Sequence, residues 1–457
     1  MGMERFIRYI VILTFIHHVY LFFVEAGTFN FFLNTSLKIL ASVMFSSIVI
    51  FLLHVYLKSL RNSWIRRGSD FGLCGILFSC TQNQKNEEKK KEKPEEDRPL
   101  STQEIQKIRK EIDADKKSRL LEEAFDRKAG FNGTVLVAQR GIVLLEKATG
   151  FAQDTVPNTL RSKFQLASLS KTFTALAIMK LVQEGKMGLD NTIQDFYPYF
   201  PYPGVTLRSL LSHRSGLPYY QYEFDRRVRE EKIYPDNQQV MQWFTEAKPV
   251  PKALNLPDHY FAYNNTNYAI LAAIIEKVSG LPFARYMEEN IFGPAGMKDT
   301  FAGTSSRSEL NENRTYGYQN GRKLEKDFYD DIMGDKGIYS TAPDLLKYYN
   351  VLKTGKIVSQ ENLREMYTPR SFEHPGIRNY GYGFRLWVNK LQQTDYIYHT
   401  GWWKGYNTIM FFDLREDFVV ILLSNKYNRS VYNIREMVDI LHGDHRNSSL
   451  EDNILDQ

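Results

Sequence analysis

The tetrapeptide Ser168-Leu169-Ser170-Lys171 contains the only Ser-x-x-Lys in the sequence. Residues i and i+3 share one face of a helix, so the Ser168 hydroxyl and the Lys171 amine can meet there. A serine at a helix start also lies beside unpaired backbone N–H groups and the positive end of the helix dipole. These features suit a nucleophile that develops negative charge. The alternative for this tetrapeptide taken alone is a serine that only caps the helix.

A serine nucleophile needs a group that moves its proton, and a Tyr-x-Asn triplet could supply one. Such triplets occur three times, at 263–265, 318–320 and 348–350. The first immediately precedes an apolar helical stretch, where Tyr263 and Asn265 can project together from a rigid support. The second lies in a polar stretch without periodicity, and the third lies inside a predicted helix, where Tyr348 is expected to pack. The first triplet is therefore the candidate.

A third element, His399-Thr400-Gly401, ends a stretch of strand-like alternation. A glycine here would let a substrate backbone approach the strand closely. The backbone N–H of the next residue, Trp402, could then point at a developing oxyanion. A Lys-Thr-Gly at 353–355 instead follows a predicted helix, with Gly355 just past its last turn.

In this order, the three motifs resemble those of the serine β-lactamase and D-alanyl-D-alanine peptidase superfamily, closest to its class C β-lactamase-related branch. The stretches 210–217 and 337–345 look like stock loops of the same family. The resemblance covers about residues 120–440. It implies an α+β fold in which an antiparallel sheet is flanked by helices, with an inserted helical region.

The resemblance also implies a role for each motif residue. Ser168 would attack a carbonyl and form an acyl-enzyme, with Lys171 lowering the barrier to that attack. Tyr263 would shuttle protons, and Asn265 would hold Lys171 or the substrate amide. The backbone N–H groups of Ser168 and Trp402 would form the oxyanion hole.

This sequence departs from the usual family pattern at His399, where lactamases and peptidases carry lysine. A histidine with an ordinary pKa near 6.5 is mostly neutral at pH 7 and offers no permanent charge for a substrate carboxylate. Esterases and peptidases of the branch do carry histidine here. We therefore expect an ester or peptide to be the substrate, before a β-lactam.

The resulting prediction is a serine hydrolase of esterase or D-amino-acid peptidase type that uses no metal or organic cofactor. One alternative is a β-lactamase or D-alanyl-D-alanine carboxypeptidase proper. Another is a non-catalytic peptidoglycan- or peptide-binding protein that keeps the pocket. The expected partner is a small-molecule or peptide substrate, and the oligomeric state stays open.

The net charge of +6 does not indicate a nucleic-acid-binding surface, because residues 1–67 carry seven basic and two acidic side chains. That excess flanks two apolar segments, 6–24 and 37–57, each long enough to cross a bilayer. Both cysteines precede the globular part, which excludes disulfides and cysteine metal sites there.

The second cysteine, Cys80, follows a short apolar run and resembles the lipidated residue of a bacterial lipoprotein signal. The first 60 residues are then either a genuine membrane anchor or an upstream extension. We expect a membrane-associated protein whose catalytic domain is periplasmic or otherwise extracytoplasmic. The predicted segments are 1–60 (two spans), 61–80 (signal-like), 81–117 (charged linker and helix), 118–445 (hydrolase domain) and 446–457 (polar tail).

Hydrophobic periodicity predicts strands at both ends of this domain and helices between them. We expect one sheet built from both ends of the chain. The predicted helices span 168–184, 206–212, 266–279, 342–353 and 431–441. The predicted strands span 133–138, 142–145, 383–388, 396–400, 407–412 and 418–424.

Overall fold

The computed structural model describes residues 100–303, 308–374 and 376–443. The predicted spans at 6–24 and 37–57, the signal-like segment with Cys80, and the polar tail at 446–457 lie outside these residues. Within the described ranges, no helix combines the length and the apolar character needed to cross a membrane.

Fourteen strands are present in the described residues, most of them short. In chain order they are β1 Gly133–Gln139, β2 Ile142–Thr149, β3 Phe151–Gln153, β4 Val156–Pro157, β5 Phe164–Gln165, β6 Phe301–Ala302, β7 Tyr318–Gln319, β8 Arg322–Lys323, β9 Ile338–Ser340, β10 Arg378–Tyr380, β11 Arg385–Val388, β12 Thr394–Trp403, β13 Tyr406–Asp413 and β14 Phe418–Ser424.

Seven of these strands form one antiparallel sheet in the order β10-β11-β12-β13-β14-β1-β2. The N-terminal strand β1 pairs with the last strand, β14, from Gly133 opposite Ser424 to Gln139 opposite Phe418. The prediction of one sheet built from both ends of the chain is therefore confirmed. A small second sheet, β5-β9-β6, lies between these ends in sequence.

The helices fill the middle of the chain and flank both of its ends. In chain order they are α1 Thr102–Glu111, α2 Ala114–Asp126, α3 Ser170–Gln183, α4 Ile193–Phe196, α5 Leu207–Leu211, α6 Tyr220–Glu223, α7 Asp225–Glu231, α8 Asn237–Glu246, α9 Asn265–Ser279, α10 Phe283–Met287, α11 Gly293–Ala295, α12 Ser308–Asn311, α13 Ala342–Thr354, α14 Gln360–Met366 and α15 Arg435–His442. Short non-α turns lie at Ala167–Leu169, Glu288–Phe292, Phe328–Asp331 and Arg429–Tyr432.

Both faces of the sheet are buried, because successive side chains of a strand point to opposite faces. In β14, Val419, Ile421 and Leu423 join the larger core, which includes α3 and α9. The alternate residues Val420 and Leu422 join a second core beneath α2 and α15. This explains why β14 reads as a continuous apolar run instead of an alternating one.

The bounds of α1 and α13 follow capping signals in the sequence. Ser101 and Glu104 form a capping box at the start of α1. Thr341 caps α13 by accepting a hydrogen bond from the backbone N–H of Asp344. Gly355 ends that helix with φ of 73°, as expected for the residue just past the last turn.

The predicted strand 383–388 is partly wrong, because β11 begins only at Arg385 and the sequence did not indicate β10. Gly383 lies in the connection between these strands with φ of 80°. A Cβ at this position would lie 2.4 Å from Cβ of Ala175 and 3.1 Å from the carbonyl oxygen of Lys171. The glycine therefore permits a close approach to helix α3, and the strand starts after it.

We expect Gly383→Ala to lower the free energy of unfolding by about 2 to 5 kcal/mol, because it adds steric overlap to left-handed strain. The matched control is Gly280→Ala, since Gly280 has φ of 72° and nothing within 4 Å of an added Cβ. That control should cost about 1 to 2 kcal/mol. Urea unfolding measures both, and equal losses would contradict the close-approach argument.

Candidate active site

Ser168 lies in the 3₁₀ turn Ala167–Leu169, directly before helix α3. Ala167 has φ of 51°, which is uncommon for a residue with a side chain and often marks a functional site. Ser168 is partly exposed, whereas the residues on either side of it are buried. The residue that precedes α3 is Leu169, with no side-chain cap, so Ser168 does not act as a helix cap.

The amine of Lys171 is fully buried and has three close polar partners. Its Nζ lies 3.1 Å from Oγ of Ser168, 2.8 Å from Oδ1 of Asn265 and 2.8 Å from the carbonyl oxygen of Asp335. The last two atoms are acceptors only, so a neutral amine would donate to both and direct its lone pair at the Ser168 hydroxyl. This geometry suits a general base acting on the serine.

The triplet at 263–265 forms the start of helix α9. Asn264 is the cap, and its side chain accepts a hydrogen bond from the backbone N–H of Thr266. The backbone N–H of Asn264 donates to Nδ1 of His213 at 3.1 Å. The middle residue of the triplet thus anchors the helix start, while Tyr263 and Asn265 lie next to Lys171.

The ring of Tyr263 is surrounded by basic groups. Nζ of Lys171 lies 5.1 Å from its centroid, and Cζ of Arg385 lies 4.9 Å from it. The ring of His213 packs at 4.3 Å. The Tyr263 hydroxyl is buried and has no hydrogen-bond partner among the described residues. An unpaired buried hydroxyl costs about 1 to 3 kcal/mol, which is consistent with a group reserved for a substrate.

His399 is buried in β12, and its hydrogen bonds define its tautomer. Nδ1 donates to the carbonyl oxygen of Thr400 at 2.7 Å, so Nε2 accepts from the Tyr380 hydroxyl at 3.2 Å. Burial lowers the pKa of His399 well below its ordinary value, and the charges of Arg385 and Lys171 lower it further. The imidazole is therefore neutral at pH 7, as the sequence predicts.

Gly401 lies beside the serine turn. A Cβ there would lie 2.1 Å from the carbonyl oxygen of Leu166 and 2.3 Å from Oγ1 of Thr408. The glycine therefore permits the close approach of the chain leading into Ser168, and its expected role for a substrate backbone stays a prediction.

The last five residues of β12 have one edge that no strand covers among the described residues. Strand β11 pairs with β12 only as far as Tyr398, opposite Arg385. Residues 399–403 of β12 pair with β13, and among the described residues no strand pairs with their other side. Thr400 is partly exposed and Trp402 is exposed on this stretch. An extended substrate could therefore lie along it.

The other two Tyr-x-Asn triplets and the Lys-Thr-Gly at 353–355 lie in other parts of the fold. The Tyr318 hydroxyl hydrogen-bonds Asp154, and Tyr348 stacks on Phe173 at 3.8 Å between ring centroids. Lys353 pairs with Asp417 at the end of α13. Neither alternative Tyr-x-Asn triplet nor the Lys-Thr-Gly at 353–355 is among the partners of Lys171.

Sequence reasoning missed three contributors to the site: Arg385, Asp335 and Tyr380. Arg385 carried no motif, and its relation to Tyr263 arises from the pairing of β11 with β12. Asp335 contributes a backbone carbonyl, which no residue type can signal. The catalytic roles of Ser168, Lys171 and Tyr263 stay predictions, although the structure brings these side chains together.

The fold and the site define a class of enzymes that transfer an acyl group through a serine activated by lysine. A family model described as Beta-lactamase matches residues 119–442. A penicillin-binding protein from Bacillus subtilis (strain 168) is 33% identical over 326 residues, covering 68% of this chain and 71% of that protein. The chain belongs to the β-lactamase family and is a serine hydrolase of that family.

Solved structures show the same fold. The penicillin binding protein from Bacillus halodurans matches with a TM-score of 0.59 and 25% identity, over 70% of this chain and 97% of that one. The D-amino acid amidase from Ochrobactrum anthropi SV3 matches with a TM-score of 0.58 and 24% identity, over 72% and 97% respectively. The predicted α+β fold with an antiparallel sheet is therefore confirmed.

We expect Ser168→Ala to abolish turnover of p-nitrophenyl esters, a loss on the order of 10⁴-fold or more, while the free energy of unfolding stays nearly unchanged. The control is Ser170→Ala in the same tetrapeptide. Oγ of Ser170 accepts a hydrogen bond from the buried N–H of Ile338, so this variant should lose about 1 to 3 kcal/mol of stability and keep most activity. Equal activity in wild type and Ser168→Ala would contradict the assignment.

Proposed function

We propose that the chain hydrolyses an amide or ester bond near a carboxylate, as in a peptide that ends in a D-amino acid. The observation that carries the proposal is the contact between Lys171 Nζ and Ser168 Oγ at 3.1 Å, beside the unpaired hydroxyl of Tyr263. A nucleophile, its base and a second proton carrier are thereby adjacent.

In the proposed reaction, the neutral amine of Lys171 accepts the proton of Ser168 as Oγ attacks the carbonyl carbon. The tetrahedral oxyanion is bound by the backbone N–H groups of Ser168 and Trp402, each worth on the order of 100- to 1000-fold in rate. Tyr263 passes a proton to the leaving group. The acyl-enzyme then reacts with water, and the same groups return the proton to Ser168.

The distribution of charge favours a substrate with a carboxylate. His399 is neutral, so it does not supply the positive charge that lysine provides in many relatives. The partly exposed guanidinium of Arg385 lies over the Tyr263 ring and supplies that charge from the neighbouring strand. A planar guanidinium is well suited to bidentate recognition of a carboxylate. The D-configuration is suggested by the name of one fold neighbour, the D-amino acid amidase.

We expect Arg385→Met to raise KM for a peptide ending in D-alanine by about 10- to 100-fold, which corresponds to one charge-assisted hydrogen bond. The same peptide with a C-terminal amide is the matched control, because it lacks the carboxylate and should show little change. Turnover of p-nitrophenyl acetate should also persist. An equal KM change for both peptides would show that Arg385 does not read the carboxylate.

We further propose that the N-terminal segments hold this domain at a membrane, outside the cytoplasm. The support is Cys80 in a lipoprotein-like context. The two apolar segments with flanking basic residues are the alternative anchor, if the chain is not cleaved before Cys80. Mass spectrometry of the protein purified from membranes tests this, with a lipid-modified N-terminal Cys80 as the expected result. An intact peptide spanning residues 79–81 would exclude lipidation. Impermeant labelling of Ser168 on intact cells would report the compartment.

A further inference from the structure

A second group of buried polar side chains lies next to the catalytic lysine. Lys336 and Asp335 form an ion pair with Nζ 3.3 Å from both carboxylate oxygens, and their side chains are 3% and 0% exposed. Lys336 Nζ also donates to the Tyr220 hydroxyl at 3.0 Å, and that hydroxyl donates to Asp335 Oδ2 at 3.0 Å. The three side chains form a closed triangle, which we call the Asp335 triad.

Burying this ion pair costs desolvation free energy, so its presence calls for an explanation other than stability. Removing two charges from water costs several kcal/mol per ion, and well-packed apolar residues often replace such a pair without loss of stability. Burial raises the pKa of Tyr220 well above its ordinary value, with Asp335 the next cause, so the phenol keeps its proton and donates to the carboxylate. Every polar atom of the triangle is satisfied, as expected of a buried network that specifies one geometry.

The Asp335 triad contacts the catalytic site through the backbone carbonyl of Asp335. Its carbonyl oxygen accepts the hydrogen bond from Lys171 Nζ at 2.8 Å. The adjacent carbonyl of Gly334 accepts from Oγ1 of Thr174, which lies in the same helix as Lys171. Because the side chain and the carbonyl of a residue are both attached to one Cα, fixing the Asp335 carboxylate restricts the direction of the carbonyl that accepts the hydrogen bond from Lys171.

The Asp335 triad also contacts the strand that carries the predicted oxyanion donor. Lys336 Nζ lies 5.0 Å from the centroid of the Trp403 ring, at the end of β12. The indole N–H of Trp403 donates to Asp330 at 2.6 Å. Within the triad, Lys336 therefore contacts the end of β12, and Asp335 binds Lys171.

We infer that Asp335, Lys336 and Tyr220 are positioning residues that orient the acceptor of Lys171 and balance the charge around its amine. The inference rests on the proposed function, in which Lys171 is the base for Ser168. Asp335 carries a negative charge next to the backbone carbonyl that binds Lys171, and Lys336 offsets that charge through the ion pair.

Other groups that face Lys171 belong to several elements. They are Tyr263 and Tyr268 from the start of α9, His213 from the loop before α6, and His399 and Arg385 from β12 and β11. Burial lowers the pKa of both histidines, so neither is charged at neutral pH. Every variant described below keeps Arg385, so its contribution is common to all of them.

The test is the pH dependence of kcat/KM for p-nitrophenyl acetate in two single variants. Asp335→Asn leaves the charge of Lys336 uncompensated, which disfavours a second positive charge on Lys171. The acidic limb of the pH profile should therefore move about 1 pH unit lower. Lys336→Met leaves Asp335 uncompensated and should move that limb about 1 unit higher. A purely structural role lowers activity without moving the limb in opposite directions, and that result would overturn the inference.

Two further variants keep the test interpretable. Tyr220→Phe keeps both charges and removes one hydrogen bond, so kcat should fall about 3- to 10-fold with KM and the limb unchanged. Lys163→Met removes another buried lysine, 1% exposed and 3.5 Å from Asp299, and should lower stability without moving the limb. A limb shift in Lys163→Met would overturn the inference by showing that the shift is not specific to the triad.

Failure of the inference is distinguishable from failure of the proposed function. Wild type and all variants are first treated with a fluorophosphonate probe, and the labelled residue is identified by mass spectrometry. Absence of labelling at Ser168 in wild type would refute the proposed function. Labelling at Ser168 together with limbs that do not move in opposite directions would refute only the role of the Asp335 triad.

Discussion

The amine of Lys171 is excluded from water, and the site depends on meeting its hydrogen-bonding needs inside the protein. A buried amine without partners would cost several kcal/mol, so its acceptors must come from the protein itself. Ser168 lies one helical turn away, but Asn265 and Asp335 are 94 and 164 residues distant along the chain. Helices α3 and α9 and the segment before β9 must therefore pack correctly before the base exists.

Close backbone approaches hold these distant segments together. Gly401 lets β12 lie against the chain that leads into Ser168, and Gly383 lets the connection before β11 lie against helix α3. In each case a side chain would overlap with neighbouring atoms by more than an ångström. The 3₁₀ turn that carries Ser168 is thus held between the end of β12 and the start of α3. This packing restricts the position of the Ser168 side chain.

The charged groups around the site lie on several different segments of the chain. His399 is kept neutral by burial, while Arg385 brings a positive charge from the neighbouring strand. Deeper in the protein, Lys336 offsets Asp335 beside the acceptor of Lys171. The guanidinium of Arg385 beside Tyr263 and the ion pair of Asp335 with Lys336 are therefore separate charged features of the site.

The sequence alone determined the features that depend on neighbours within a few residues. The i, i+3 spacing of Ser168 and Lys171, the cap at Ser101 and the strand β14 all follow from local periodicity and capping chemistry. Tertiary structure alone decided which residues meet: Arg385 with Tyr263, and the Asp335 carbonyl with Lys171. The reason is physical, because helix and strand periods are encoded locally, whereas contacts across a hundred or more residues arise only when the whole core packs.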